Sequence, residues 1–135
     1  MSNIPENFEP LFRDSPYLNL LGPIYSKKTA GGITIGLYVE NKHCNNRDLL
    51  HGGVVSGLAD IALGYNLAFA GKDIIPIVTA SLSVDFVSSA KAGDWIEIET
   101  DVQKVGKNMA FANCYVLVDS KRIARASGVF KVFKS

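Results

Sequence analysis

The chain has 135 residues, a size that suits one domain over residues 1–135 with a continuous apolar core and leaves little room for a second domain. Hydrophobic residues make up 47% and charged residues 20% of the sequence, which is ordinary for a folded globular protein and argues against a disordered chain. Fourteen Lys and Arg against thirteen Asp and Glu give a net charge of +1, so the broad positive field that holds nucleic acid or an anionic membrane surface is absent.

The first half of the chain predicts an N-terminal extension, one strand and one long helix. Residues 1–30 contain four prolines among short apolar groups, and we expect a short helix and a loop there. Residues 33–39 alternate apolar and other side chains, which predicts a strand buried on one face. After a polar loop at 41–48, the long apolar run at 54–70 predicts a helix buried on most of its sides.

The second half predicts four strands, because apolar and polar residues alternate on either side of short turn-forming groups. The strands are expected at about 77–88, 94–105, 109–119 and 122–133. The turns at 92–94, 106–108 and 119–121 suit hairpins, so an antiparallel meander is expected. The whole pattern predicts an α+β hotdog fold, in which an antiparallel β-sheet wraps around a long central α-helix.

The two cysteines, Cys44 and Cys114, belong to no paired pattern, so neither a zinc site nor a disulfide framework is indicated. The N-terminus lacks the basic start and apolar run of a secretory signal, and no later uncharged apolar stretch is long enough to span a bilayer. We therefore expect a cytoplasmic protein with no metal.

Asp60 lies in the middle of the predicted apolar helix. Burying an unpaired carboxylate costs several kcal/mol, so this side chain must be hydrogen-bonded or must open onto a cavity. About two turns inside the helix, it is too far from the start to be an N-cap. Two interpretations remain open: a structural Asp paired with a neighbouring hydroxyl or backbone group, or a catalytic carboxylate.

The start of the same helix carries the sequence Leu-His-Gly-Gly at residues 50–53. Free backbone N–H groups and the positive end of the helix dipole meet at such a start, which can hold an oxyanion. Glycine at Gly52 lets a carbonyl approach the backbone closely, although a Gly-Gly pair is also common in simple turns. His51 is interpreted either as orienting a substrate or as holding the loop, and His43 as structural.

The sequence lacks the signature motifs of several enzyme classes. The sequence has no Gly-x-Ser-x-Gly elbow, no Gly-x-Gly-x-x-Gly or phosphate-binding loop, and no His-x-x-x-His metal spacing. A triad hydrolase, a nucleotide enzyme and a zinc enzyme are therefore disfavoured.

The stretch from Asn45 to Asp60 carries Asn, a short gap, His-Gly-Gly, and then Asp eight residues after the first Gly. In this pattern the chain resembles the PaaI-like branch of hotdog acyl-CoA thioesterases. Residues 78–86 followed by 90–94 are similar to that family's next strand and its Gly-Asp turn. The resemblance extends from about residue 30 to the C-terminus.

The resemblance implies a role for five residues. The Gly52 N–H would polarise the thioester carbonyl, while Asp60 from the facing subunit would act as general base or nucleophile. Asn45 and His51 match polar residues beside the thioester, and Thr79 matches a hydroxyl residue that positions the attacking water. Because the loop before this strand varies in length, one of two nearby serines could supply the hydroxyl instead: Ser81 or Ser83.

The expected reaction is hydrolysis of an aryl- or fatty acyl-CoA to the free acid and CoA, with no cofactor because CoA is part of the substrate. The resemblance implies a homodimer at minimum and a homotetramer built as a dimer of dimers. Basic residues near the site would hold the CoA phosphates, and three are candidates only: Lys91, Lys104 and Lys107.

Two alternatives stay open. A hydratase or dehydratase of the same fold is disfavoured because its Asp-x-Asn-x-x-His loop or His-Phe-Pro signature is not present. A non-catalytic acyl-CoA-binding module is disfavoured because the first thirty residues leave no room for a helix-turn-helix.

Overall fold

The computed structural model describes residues 4–133, and its strands form one seven-stranded antiparallel sheet in the order β1-β2-β3-β5-β6-β7-β4. A long helix, α2, packs against five of these strands. In chain order the elements are β1 (Glu9–Pro10), α1 (Pro16–Leu21), β2 (Tyr25–Thr29), β3 (Gly32–Tyr38), α2 (Gly52–Ala68), β4 (Ile77–Phe86), β5 (Trp95–Val105), β6 (Met109–Val118) and β7 (Lys121–Val132). This arrangement confirms the predicted hotdog fold.

The core lies between α2 and the inner face of the sheet. The buried residues of α2 recur every three or four positions, so they form one stripe along the helix: Val55, Leu58, Ala59, Ala62, Leu63, Asn66 and Leu67. The sheet opposes them with alternating buried side chains, among them Ile35, Leu37, Ile96 and Ile98. Four alanines on β6 and β7 are also buried, and their small size lets the helix approach the sheet closely: Ala110, Ala112, Ala124 and Ala126.

The opposite face of α2 is more open than its apolar sequence suggested. We expected burial on most sides, but Gly57, Asp60, Ile61 and Gly64 are only partly buried. The sheet covers one face, and the other is covered only in part by residues that precede β2. Asp60 therefore lies on the side of the helix where a ligand can reach it.

Asn66 joins the buried side of α2 to the start of β3. Its Oδ1 accepts a hydrogen bond from the Ile33 N–H at 2.9 Å, while its Nδ2 donates to the Ile33 carbonyl at 3.1 Å and to the Ala62 carbonyl at 2.8 Å. The side chain thus satisfies both backbone groups of one strand residue, as a neighbouring strand would. Gly32 is required beside it, because a Cβ at this position would overlap Asn66 Oδ1.

The sequence predicted that all four C-terminal strands form one meander, and this prediction is wrong for β4. β5, β6 and β7 do form a meander, but β4 pairs with β7 at the far edge, and β5 pairs with β3. The turn at 92–94 is not a hairpin, because Gly93 N–H donates to the Val39 carbonyl and Val39 N–H to the Asp94 carbonyl. Residues 87–91 instead cross one end of the sheet, and local turn signals cannot distinguish such a crossing from a hairpin.

The N-terminal extension contains the expected short helix and also two strands that were not expected, β1 and β2. Ser15 caps α1 by accepting a hydrogen bond from the Leu18 N–H at 3.2 Å, and Pro16 occupies the first helical position, where its missing N–H costs nothing. β2 pairs with β3, yet its sequence Tyr-Ser-Lys-Lys-Thr lacks the apolar alternation that reveals a strand. Among the described residues, no helix is long and apolar enough to cross a membrane.

The two adjacent glycines before β3 allow a matched test of the Asn66 contact. Gly32→Ala should lower the free energy of unfolding by about 1–3 kcal/mol, because the new methyl group displaces a buried amide from its hydrogen bonds. Gly31→Ala should change it by less than about 0.5 kcal/mol, since a Cβ there meets no atom within 4 Å. Urea unfolding of both variants measures the difference, and equal midpoints would contradict the assigned contact.

Candidate active site

The start of α2 presents an unpaired backbone donor. His51 is the N-cap residue, and its Nδ1 accepts a hydrogen bond from the Gly53 N–H at 2.8 Å. Within residues 4–133 no acceptor is found for the Gly52 N–H, as expected for the first residue of a helix. The helix dipole adds positive potential at this point. The Gly52 N–H is therefore available to a ligand oxygen.

The loop before α2 is held by two polar side chains. Asn45 Oδ1 accepts hydrogen bonds from the N–H groups of Arg47 at 2.9 Å and Leu49 at 3.2 Å, which leaves its amide NH₂ free to donate elsewhere. His43 is buried, and its Nδ1 accepts from the Glu40 N–H, so its Nε2 carries the proton donated to the Leu21 carbonyl at 2.6 Å. His43 is structural, as the sequence indicated.

Asp60 and Thr79 form the second part of the site. The Thr79 hydroxyl donates a hydrogen bond to Asp60 Oδ1 at 2.6 Å, which joins the middle of α2 to β4. Asp60 is partly buried and Thr79 is exposed, so solvent reaches the pair. The carboxylate thus has one fixed partner and keeps its other oxygen for a substrate or a water molecule.

A β-bulge places Thr79, rather than a later serine, beside Asp60. Thr79 lies opposite Phe130 on β7, but the next paired residue on β4 is Ser81, opposite Val129, so one extra residue is inserted between them. The insertion changes which side of the sheet each residue faces. Ser81 and Ser83 face away from the helix, while Thr79 faces it. The choice among the three hydroxyl residues is therefore made by one local irregularity.

An open groove extends from Asp60 along α2 and has a volume of about 490 Å³. Its long wall is α2 from Asp60 to Phe69, and its other walls come from the N-terminal extension and from the approach to β4. The groove-lining residues are largely apolar, with Asp60 and Thr79 at one end: Leu18, Ile61, Gly64, Ala68, Ile75, Ile77, Val78 and Phe130. Such a shape suits the apolar part of a small-molecule ligand.

Sequence reasoning missed the far end of this groove. Phe12 packs against Tyr65 and Phe69 with ring centroids 5.6 and 5.4 Å apart, and the Arg13 guanidinium lies 5.4 Å from the Phe69 ring centroid. Burial raises the pKa of the Tyr65 hydroxyl, and the Arg13 charge offsets part of that rise. These residues are separated by about fifty positions in the chain, so no local pattern could have linked them.

The five residues predicted for the site form two groups rather than one. Asn45, His51 and Gly52 lie at the start of α2, whereas Asp60 and Thr79 lie together farther along it. Eight residues separate Gly52 from Asp60, which corresponds to roughly 12 Å along the helix axis. One thioester carbonyl cannot be within hydrogen-bonding distance of both groups in a single chain.

The basic candidates are also separated. The backbone of Lys91 forms an isolated antiparallel β-bridge with Leu49, so Lys91 lies beside the loop that leads into α2. Lys104 and Lys107 lie on and beside the hairpin between β5 and β6. Within residues 4–133, no three His, Cys, Asp or Glu side chains are grouped so that they could hold a metal ion.

Known proteins resemble this chain along most of its length. A family model described as the thioesterase superfamily matches residues 48–124, which is more than half of the chain. A Pseudomonas aeruginosa protein named as an esterase is 45% identical over 131 residues, covering 96% of this chain and 98% of that protein. Human acyl-coenzyme A thioesterase 13 is 33% identical over 95 residues, covering 70% of this chain and 67% of that protein.

Among solved structures, the PaaI protein from the phenylacetic acid degradation operon of E. coli has a TM-score of 0.80 at 22% identity, covering 90% of this chain and 87% of that chain. The helix wrapped by an antiparallel sheet and these similarities define a thioester hydrolase of the hotdog fold. The chain belongs to the thioesterase superfamily, and its structural likeness to the E. coli PaaI protein agrees in fold with the resemblance found in the sequence.

The contact between Thr79 and Asp60 can be tested by changing only the hydroxyl. Thr79→Val should lower kcat for thioester hydrolysis about 10- to 100-fold, because a hydrogen bond to a charged group contributes roughly 1.5–3 kcal/mol. Thr79→Ser keeps the donor and should stay within about fivefold of the unsubstituted protein. Steady-state kinetics with one acyl-CoA compares the two variants, and equal losses would show that the hydroxyl is not the important feature.

Proposed function

We propose that the chain is an acyl-CoA thioesterase in which Asp60 drives hydrolysis and the Gly52 N–H polarises the carbonyl. The observation that carries the proposal is the Asp60 carboxylate, held by Thr79 at 2.6 Å at the end of an apolar groove. A thioester is already activated, so one carboxylate and one oxyanion donor suffice without a nucleophile triad. The human relative's name, acyl-coenzyme A thioesterase 13, supports CoA as the thiol part of the substrate.

The separation of Gly52 and Asp60 along one helix supports a site built from two subunits. β4 is an edge strand, and its outer edge has no partner strand in the described sheet. Its end and the residue after it expose apolar side chains, with Phe86 54% and Val87 71% exposed. An exposed apolar edge of this kind pairs readily with another strand, and a second copy of β4 is the occupant that we propose.

An antiparallel pair of β4 strands would bring the two halves of the site together. The Phe86 end of β4 lies beside the start of α2, because a Cβ at Gly52 would lie 3.3 Å from the Phe86 ring. The Thr79 end lies beside Asp60. A two-fold axis between the strands places the Phe86 end of each copy next to the Thr79 end of the other. Gly52 of one subunit then approaches Asp60 of its partner, and two equivalent sites result.

In the proposed reaction, the Gly52 N–H donates a hydrogen bond to the thioester carbonyl oxygen and stabilises the negative charge that develops on it. Asp60 then acts in one of two ways. As general base it accepts a proton from water while the water oxygen attacks the carbonyl carbon. As nucleophile it attacks the carbon itself, and water hydrolyses the resulting anhydride. Either way the C–S bond breaks, CoA leaves as a thiolate, and the acid remains.

Asn45 and His51, the other two residues predicted for the site, each have a polar group that a substrate can contact. The Asn45 amide NH₂ and the His51 Nε2 have no partner among the described residues, because Asn45 uses its oxygen and His51 its Nδ1 within the loop. We propose that both contact the substrate near the thioester. A dimer of dimers and a cytoplasmic location complete the proposal and stay predictions.

The carboxylate is tested by Asp60→Asn, which keeps size and shape and removes the base. We expect kcat to fall about 10²–10⁴-fold, with the circular dichroism spectrum and thermal midpoint preserved. Asp101→Asn, on the exposed part of β5, is the matched control and should retain activity. Release of the CoA thiol is followed for acetyl-, decanoyl- and benzoyl-CoA. Turnover within a few-fold of the unsubstituted protein would refute the role of Asp60.

The assay needs an enzyme blank, because Cys44 is a free and partly exposed cysteine that a thiol reagent can reach. Cys114 adds little background, since burial raises the pKa of its thiol to about 12, against a smaller opposite effect from a hydrogen bond with the Ala126 backbone. Tight binding of acyl-CoA without thiol release would instead identify a binding module. Hydration of an enoyl-CoA without thiol release would identify a hydratase.

The two-subunit site is tested by complementation. Gly52→Pro removes the proposed donor at the first helical position, which suits proline once the Phe86 ring, 3.3 Å from a Cβ there, shifts slightly. His51 before it already has the extended backbone that proline requires, with φ −68° and ψ 135°. Each variant alone, Gly52→Pro or Asp60→Asn, should lose about 10²-fold or more of its activity. Hybrids co-expressed with two tags and purified through both should regain about half of full activity, because one of their two sites is intact. Hybrids as inactive as their parents would show that Gly52 and Asp60 of different chains do not act together, and the two-subunit site would be refuted.

A further inference from the structure

The groove beyond Asp60 has an unusual floor. Gly64 follows Asp60 by four residues and lies on the same face of α2, one turn deeper into the groove. No side chain therefore fills the groove at this level. Glycine inside a helix weakens the helix relative to alanine, so its presence here calls for a physical reason.

Close packing is not that reason. A Cβ at Gly64 would meet only Phe130 Cε2, at 3.8 Å, which is an ordinary van der Waals contact. Gly57, two turns earlier on the same helix, is different, because a Cβ there would overlap the Tyr17 hydroxyl. Gly57 thus makes room for a protein side chain, whereas the space over Gly64 is open and lined by apolar groups.

We propose that Gly64 sets the depth of the acyl groove, and that the preferred substrates carry a straight, apolar acyl chain of medium length. The inference rests on the proposed thioesterase function. The chain would pass over Gly64 and end against Phe69. Nine residues from Asp60 to Phe69 correspond to about 13 Å along the helix, the length of an extended chain of roughly ten carbon atoms with bonds of about 1.5 Å.

The length of the groove favours an alkyl chain over a short aromatic acyl group. The walls beyond Asp60 combine branched aliphatic side chains, including Ile61, Ile75 and Ile77, with the aromatic rings of Tyr65 and Phe69. A ring attached directly to the carbonyl would fill only the first helical turn of the groove. The apolar surface between Gly64 and Phe69 would then stay in water, and the stabilisation from covering it would be lost.

The test compares kcat/KM for acetyl-, hexanoyl-, decanoyl- and benzoyl-CoA. For the unsubstituted protein, kcat/KM should rise with chain length up to about decanoyl. Gly64→Leu should lower kcat/KM for decanoyl-CoA about tenfold or more, because methylene-sized changes in an apolar pocket produce effects of about 10- to 200-fold. Its effect on acetyl-CoA should stay within about threefold. Gly31→Leu is the matched control, since Gly31 is exposed and a Cβ there has no neighbour within 4 Å.

Two further variants keep the test independent of folding. Gly64→Ala improves helix propensity and fits beside Phe130, so it should fold at least as well and shift the preference modestly toward shorter chains. Phe69→Ala opens the far end and should raise the relative kcat/KM for dodecanoyl-CoA over decanoyl-CoA. A gain on a longer substrate cannot result from a damaged fold.

The kinetic results distinguish failure of the proposed function from failure of the proposed role of Gly64. If no acyl-CoA is hydrolysed, the proposed function itself is wrong. If hydrolysis occurs but Gly64→Leu lowers kcat/KM equally for every chain length, Gly64 does not set the depth. If benzoyl-CoA exceeds decanoyl-CoA by tenfold or more, the substrate class is overturned.

Discussion

The central constraint in this protein is the fixed spacing of residues along α2. One continuous helix carries both the Gly52 N–H and the Asp60 carboxylate, and the sheet packs against that helix along its whole buried stripe. The distance between the two groups is therefore set by helix geometry and cannot shorten when a substrate binds. A carbonyl that needs both groups must receive them from two helices. The proposed dimer follows from this distance, and the edge position of β4 offers the surface on which it can form.

Much of the fold was predictable because its signals are local. The apolar run of α2, the alternation in β3 and the three strands of the β5–β7 meander each depend on neighbours in the sequence. Asp60 was also recognisable, since a carboxylate within an apolar helix needs a compensating partner, and Thr79 supplies one. The start of α2 was predicted within two residues, because the glycines after His51 mark it.

Other features depend on the arrangement of distant segments and left no local signal. β4 crosses to the far edge although its turn resembles a hairpin, and the bulge after Thr79 changes which hydroxyl faces the helix. β2 forms a strand without apolar alternation, because β3 offers it a backbone to pair with. The contact of Phe12 with Tyr65 and Phe69 joins segments about fifty residues apart, so the far end of the groove could not be predicted.

The N-terminal extension has a consequence for how such proteins diverge. The family match begins at residue 48 and includes Gly52, Asp60 and Thr79, whereas the groove wall formed by residues 13–18 lies outside it. The proposed catalytic groups and this wall thus lie in separate stretches of the sequence. Substitutions in the early stretch would change the proposed acyl groove and leave Gly52, Asp60 and Thr79 as they are. Proteins descended from one ancestral hydrolase would in this way differ in the acyl groups they accept while keeping the same catalytic groups.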